Sequence, residues 1–497
     1  MPTRLQREGM APLRRTLTKY YQRRTNPPAK PRTSRTIMST PLAQRLAEYA
    51  VSLSYDQLDA KTVHEVKRRL LDSLACCLGA YEADAAACAR RVATRVRGEP
   101  GATFLGGAAP TSPELAAFVN GVLIRYLDYN DTYLSKEPAH PSDNFSVALA
   151  AAEVAGRSGC DLIAAAVLGY EIQCRLCDAQ SIRARGWDHV TYGAFSTAAL
   201  SAKLLGLDVE RATHALNLAG TPNVALRQTR AGELSMWKGC AFANAARNGL
   251  FAALLAAEGM TGPSPIFEGE MGFERQVSGP LDLPAWGGRD GAEFMIHQTS
   301  IKYWPAEYHS QSAIQAALEI RPQPANLADV AAIDIHTFDA AVDIIGKDPE
   351  KWRPQTRETA DHSLPYCTAV ALVDGEVGLR QFAPERFTDP ELIALVAKVK
   401  VHRDAALSRR YPAGIPNRVV VRQHDGVEFT SEVEFPRGHA RNPMTDAEVE
   451  EKFRRLAAGR VNEETQDRII SLIWNLDSLD RIGDLLTLFP PANSGEN

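Results

Sequence analysis

Four runs in this chain, residues 145–154, 161–172, 195–205 and 241–258, are so rich in Ala, Leu and Val that almost no polar face is left to meet water. A helix that is apolar all round is a buried helix, and four in one chain require a large bundle in which helix packs on helix. An ordinary amphipathic helix precedes them, with Val63, Val66, Leu70, Leu71, Leu74 and Leu78 recurring at intervals of three and four and Gly79 as a stop. Residues 40–287 therefore read as mostly helical.

After about Thr299 the texture changes. Residues 330–338, VAAIDIHTF, carry an alternating pattern, and residues 418–435, RVVVRQHDGVEFTSEVEF, are two alternating runs joined by Asp425-Gly426, which is a hairpin signal. Helical stretches are expected over residues 310–320 and 389–399, so this part is α+β. Past Pro443 the chain returns to helix, with Thr445 and Glu448 spaced as a capping box. The expected fold is thus multidomain, α and α+β. A large all-α helical bundle domain over residues 38–297 carries a smaller inserted α+β lid domain over 298–442, and 443–490 return to the bundle. The two connections, near Ser300 and Asn442, are placed to act as a hinge.

Composition narrows the function. The 497 residues are 45% hydrophobic and 23% charged, the balance of a globular protein. A net charge of -4 supplies no basic field for nucleic acid or an anionic membrane, so a small ligand is expected. The longest apolar stretch is read near residues 162–170, short of the roughly 18 residues a bilayer span needs, and no membrane partner is expected. Eight cysteines without even spacing point to a reducing compartment. Cys174 and Cys177 form a CxxC, but no second pair stands at zinc spacing. Residues 1–37 hold ten Arg or Lys against one acid, Glu8, and read as a disordered basic leader. They are either a tail upstream of a start at Met38 or a mitochondrial presequence. A cytoplasmic location is expected, with the mitochondrial matrix as the alternative.

The chemistry concentrates where polar loops meet apolar helices. Residues 126–144, YLDYNDTYLSKEPAHPSDN, pack acids, amides, Thr132 and His140 between two apolar helices, and the second should be capped by Ser142 or Asp143. His189, Lys238, Lys302 with Pro305 in a first turn, and His362 with Tyr366 each stand at another expected helix start. Unpaired N–H groups and the positive dipole end favour a carboxylate there. Taken singly, each His is more often structural and each Lys a solvated charge, so the weight rests on convergence. Convergence would make a polyanion pocket. Removing water from a 3-hydroxy acid needs a base, an acid and cations for the carboxylates. An iron–sulfur route needs a run of thiolates this chain lacks, so a route with no cofactor and no metal is expected.

The motifs YLDYNDTYLSKEPAHPSDN, GWDHV, WKGCAFANAARNG, IKYWPAEYHSQSA, HSLPYCTAVALVDGEV and EFPRGHARNP, in that order, resemble the MmgE/PrpD family across about residues 40–485. The resemblance implies a helical domain and an α+β lid with the active site between them, and a homodimer. It places Asp128, Thr132 and His140 on the signature loop and matches His189, Lys302 and Tyr366 to other pocket positions. Lys238 falls where the family's branches differ. The implied roles are His140 and His189 as the proton-handling pair, Asp128 orienting one of them, Tyr366 a donor, and Thr132, Lys238 and Lys302 substrate-binding. The implied activity is dehydration of 2-methylcitrate or a citrate-like tricarboxylate, favoured by PAEYHSQ after Lys302. Decarboxylation of cis-aconitate to itaconate and an inactive helical scaffold are the alternatives.

Overall fold

The computed structural model describes residues 40–492 apart from Pro284, Asp290 and Ala325. The expected basic leader lies outside these residues. Numbering α-helices of five residues or more, α1 (Leu42–Ser52), α2 (Ala60–Gly79), α3 (Asp84–Ala93) and α4 (Pro113–Arg125) lead into the apolar group. That group is α5 (Phe145–Val154), α6 (Gly159–Ala179), α7 (Val190–Leu204), α8 (Val209–Gly220) and α9 (Trp237–Ala257). All four all-round apolar runs fall within these helices or within one residue of their ends, and nearly every residue of α5 and α7 is buried.

Helix α9 is the axis of the bundle, packed against α4, α7 and α8. Two glycines permit its close approach to α7. A Cβ on Gly193 would lie 2.4 Å from a ring carbon of Phe242, and one on Gly249 would lie 2.0 Å from Thr197 Oγ1 and 2.9 Å from Ala194 O. Among the described residues α9, and not the stretch near residues 162–170, is the helix long and apolar enough to cross a membrane, but 61% of its apolar window is buried by its neighbours. It serves as a core helix here.

The α+β part holds α10 (Gln311–Ile320), β1 (Val330–Thr337), α11 (Leu364–Asp374), α12 (Pro390–Val396), β2 (Val399–Arg403), β3 (Asn417–Gln423) and β4 (Glu428–Val433). The sheet order is β2-β1-β3-β4, with β2 parallel to β1 and the other pairs antiparallel. The hairpin β3–β4 turns at Asp425-Gly426, where Gly426 has φ +91°. Strand β2 corrects the helix expected over 389–399. The helix ends at Val396, and Val-Lys-Val-His-Arg extends beside β1 with Val399 buried and Lys400 and Arg403 exposed. Its polar side chains hid the alternation.

Helices α13 (Asp446–Ala457), α14 (Glu463–Trp474) and α15 (Ile482–Leu486) end the chain, and the Thr445–Glu448 capping box is present. Val449 and Phe453 of α13 share one apolar cluster with Leu70 and Leu74 of α2, while a second cluster is built from residues between Trp304 and Val433, including Ile314, Ile335 and Val419. Lys452 of α13 reaches inward. Its Nζ stands 2.6 Å from Asp72 Oδ1 and donates to the carbonyls of Tyr129 (2.7 Å) and Lys302 (2.9 Å). Helix α13 thereby holds together the two segments that frame the cavity described next.

Replacing Gly249 by Ala adds helix propensity of about 1 kcal/mol but overpacks the α7–α9 contact, which costs about 1–3 kcal/mol. Gly249→Ala is expected to lower the melting temperature in a calorimetric scan, and a higher one would contradict the close approach.

Candidate active site

A cavity of about 360 Å³ opens between the bundle and the α+β part. Its floor is organised by Asp128, three residues beyond the end of α4. Asp128 has φ +51°, a left-handed conformation that Asp tolerates better than bulkier residues. Its Oδ1 lies 2.6 Å from Arg125 Nη1 and 2.5 Å from Lys302 Nζ, and its Oδ2 lies 3.2 Å from Lys238 Nζ and 3.4 Å from His362 Nε2. Burial alone would raise its carboxyl pKa, but Arg125, Lys238 and Lys302 outweigh burial and hold it well below the usual range. Three cations thus share one carboxylate.

Behind it, Lys238 Nζ stands 3.3 Å from Asp361 Oδ1 and 3.2 Å from His362 Nδ1. Asp128, Asp361 and His362 offer ligand atoms within 4.8 Å of one another, a donor set able to hold a metal ion. In this arrangement the ammonium of Lys238 is the cation among them. Asp361 also accepts from His362 Nδ1 at 2.6 Å, and its pKa is lowered because Lys238 and His362 overcome burial.

His140 is set by its loop. Its Nδ1 lies 2.8 Å from the carbonyl of Asp131, an acceptor only, so Nδ1 carries the proton. Nε2 then has a lone pair, which accepts from Arg125 Nη2 at 2.9 Å. Most of the loop's other polar groups are paired, although Asn130 Oδ1 and Glu137 Oε1 are not. Asp131 accepts from Ser142 N (2.9 Å) and Tyr170 OH (2.6 Å), and Asn130 donates to Ser142 Oγ and Asp143 Oδ1. Such a network is what lets a polar loop lie buried. Burial pushes the Asp143 carboxyl up to about 8. Asn144, at the end of a 3₁₀ turn over Pro141–Asn144, replaces the expected Ser142 or Asp143 ahead of α5, and no side chain caps that helix.

His189 occupies the N-cap position of α7, its ring centroid 5.9 Å from that of His140. Its Nδ1 is 3.0 Å from Asp188 Oδ1 but without hydrogen-bond alignment, and Asp188 is held instead by Arg230 at 3.0 Å. Burial lowers the His189 pKa to about 3 against the pull of Asp188, with Arg230 and Arg227 adding to burial. Burial, then Arg125 and Lys302, hold His140 well below 6.5. Both imidazoles are neutral at pH 7.

The structure brings Asp128, Thr132, His140, His189 and Lys302 to the cavity wall. Two expected residues are elsewhere. Lys238 does not line the cavity, because Asp128 and Asp361 engage it from behind. Tyr366 is buried in the α+β core beside Phe382 and Phe387, its hydroxyl donating to Gln381 O at 2.6 Å. His362, four residues earlier, is the group of that motif that reaches the cavity. Asp128 orients neither imidazole directly and meets His140 only through Arg125. Lys302 is not at a helix start, since Pro305 lies in an irregular segment and α10 begins at Gln311. The sequence reading missed Arg125, Arg183, Arg227, Arg230 and Lys351 on the wall. Arg125 had a signal, one residue ahead of the polar loop at the end of an apolar helix.

The MmgE/PrpD N-terminal domain model matches residues 44–284, and the MmgE/PrpD C-terminal domain model matches residues 304–478. A 2-methylcitrate dehydratase of Cupriavidus necator is 31% identical over 470 residues, covering 87% of this chain and 95% of that protein. A 2-methylcitrate dehydratase of Escherichia coli is 29% identical over 450 residues, covering 83% and 88%. A cis-aconitate decarboxylase-like protein of Aspergillus oryzae is 28% identical over 482 residues, covering 90% and 98%.

With pKa values displaced downward, neither imidazole gains a proton as the pH falls through the ordinary histidine range near 6.5. Histidine ring NMR signals, assigned with His140→Gln and His189→Gln, should stay flat from about pH 8 to 5.5 in the ligand-free protein. A midpoint at or above 6.5 for either would contradict this electrostatic account.

Proposed function

The chain belongs to the MmgE/PrpD family, and on that footing we propose that it is a hydro-lyase that dehydrates 2-methylcitrate, or a citrate-like tricarboxylate, to the corresponding aconitate. The observation that carries the reading is the pair of neutral imidazoles 5.9 Å apart in a cavity with more cationic than anionic side chains. Relatives named 2-methylcitrate dehydratase, similar along most of both chains, support the same substrate class.

His140 is the base. Its Nδ1–H is committed to Asp131 O, so Nε2 keeps an unprotonated lone pair at working pH, which accepts from Arg125 Nη2 in the free protein and must exchange that contact for the substrate proton. It takes the proton from the carbon beside a carboxylate. The C–H electron pair becomes the new C=C bond, the neighbouring C–O bond breaks, and the hydroxyl leaves as water with a proton from His189. For His189 to deliver a proton it must first hold one. A trianion entering the cavity supplies that condition, because negative charge beside an imidazole raises its pKa and offsets the burial that depresses it in the free protein. Charge developing on the substrate carboxylate is stabilised by the positive field of the cavity wall, where cationic side chains outnumber anionic ones.

Purified protein incubated with 2-methylcitrate, citrate and cis-aconitate is expected to generate enoate absorbance from a hydroxytricarboxylate without releasing carbon dioxide. His140→Ala should cut that turnover by roughly 10²- to 10⁴-fold with the melting temperature retained. Carbon dioxide from cis-aconitate without dehydration would replace the reading with decarboxylation, and silence on all three acids would leave a scaffold.

A further inference from the structure

The cations closest to the proposed chemistry are already answered by carboxylates: Arg125 and Lys302 by Asp128, Arg230 by Asp188, and Lys347 by Asp343. Three cavity-lining cations are not, and of these Arg183 donates to the carbonyl of Lys136 at 3.1 Å. Lys351, only 5% exposed, and Arg227, half-buried, have no carboxylate within ion-pair distance and no side-chain hydrogen bond among the described residues. A buried cation without a counter-ion is costly, and it persists where a ligand supplies the missing anion.

The backbone holds both beside imidazoles. Arg227 N donates to Gly186 O at 2.9 Å and Asp188 N donates to Ala225 O at 2.8 Å, so the Arg227 segment is strapped to the turn that presents His189. Lys351 lies in the 3₁₀ turn Pro349–Trp352, and its carbonyl accepts from the hydroxyl of Ser363, the neighbour of His362. One cation comes from the bundle and the other from the α+β part. Burial lowers the pKa of both, and no adjacent charge fully compensates.

We propose that Arg227 and Lys351, and not Lys238 and Lys302, are the cations that receive substrate carboxylates, one from each wall, and that they make the site selective for a trianion over a dianion. This rests on the tricarboxylate reading above, but binding tests it separately from turnover. Lys238 and Lys302 are spent in holding Asp128, whereas Arg227 offers an unoccupied planar fork that matches a carboxylate.

The test is calorimetric titration of the full chain, at pH 8 and low salt, with propane-1,2,3-tricarboxylate and with glutarate, which lacks the middle carboxylate. Neither can lose water. Wild type should prefer the tricarboxylate. Arg227→Met and Lys351→Met should each weaken it ten- to hundredfold, the loss expected for one charge-assisted contact. Glutarate should lose less, so the preference shrinks. Arg227→Lys should recover part of the affinity, and neither Met variant should melt lower than wild type, because each removes an uncompensated buried charge. Unchanged tricarboxylate affinity in both Met variants, no binding by wild type, or losses that follow a falling melting temperature would each overturn the proposal. If binding behaves as expected but no hydroxytricarboxylate is turned over, the proposed reaction fails while this assignment stands.

Discussion

A carboxylate taken out of water among three cations is the constraint on which the rest of the site depends. Asp128 binds Arg125 from the end of α4, Lys238 from the first turn of α9 and Lys302 from the connection into the α+β part. Desolvating four charges is tolerable only if they are brought together with good geometry, and losing one partner of such a group strands the others. The cluster therefore fixes three distant segments relative to one another. Lys452 repeats the device one layer out, tying the backbones of Tyr129 and Lys302 to α13.

That arrangement divides the positive charge of the cavity into two classes. Arg125, Lys238 and Lys302 are neutralised by Asp128 and Asp361 and serve as architecture, with Arg125 passing the effect on to His140. Arg227 and Lys351 face the cavity without carboxylate partners, while burial, with Arg125 and Lys302 at His140 and with Arg230 and Arg227 at His189, keeps the imidazoles neutral until an anion arrives. Recognition of a polyanion and readiness of the acid are thereby linked through Arg227 at His189. The ligand that satisfies the free cations is also the one that returns His189 toward the pKa an acid needs.

Much of this was legible in the sequence because burial leaves a strong mark. The apolar runs became α5, α6, α7 and α9, the Asp425-Gly426 hairpin formed, and the Thr445–Glu448 box capped α13. His140, His189 and Lys302 could be picked out as titratable groups set against apolar surroundings. What sequence does not carry is who neutralises whom. Lys238 looked like a substrate ligand, yet its partners are 110 and 123 residues away in sequence. Tyr366 and His362 share one motif and one helix start, and only the packing of Tyr366 against Phe382 and Phe387 decides which faces the cavity. Arg227 and Lys351 sit in polar, irregular stretches that look like solvated loops, so nothing local distinguished them. Strand β2 was lost for a similar reason, its parallel pairing to β1 being a long-range contact that five half-polar residues do not announce.

The most direct test is a crystal structure of the protein with propane-1,2,3-tricarboxylate bound. The account predicts the carbon chain within reach of both His140 Nε2 and His189, carboxylates on Arg227 and Lys351, and Asp128 still holding Lys238 and Lys302. A ligand that touches neither imidazole, or that draws Lys238 away from Asp128 to bind a carboxylate, would contradict it.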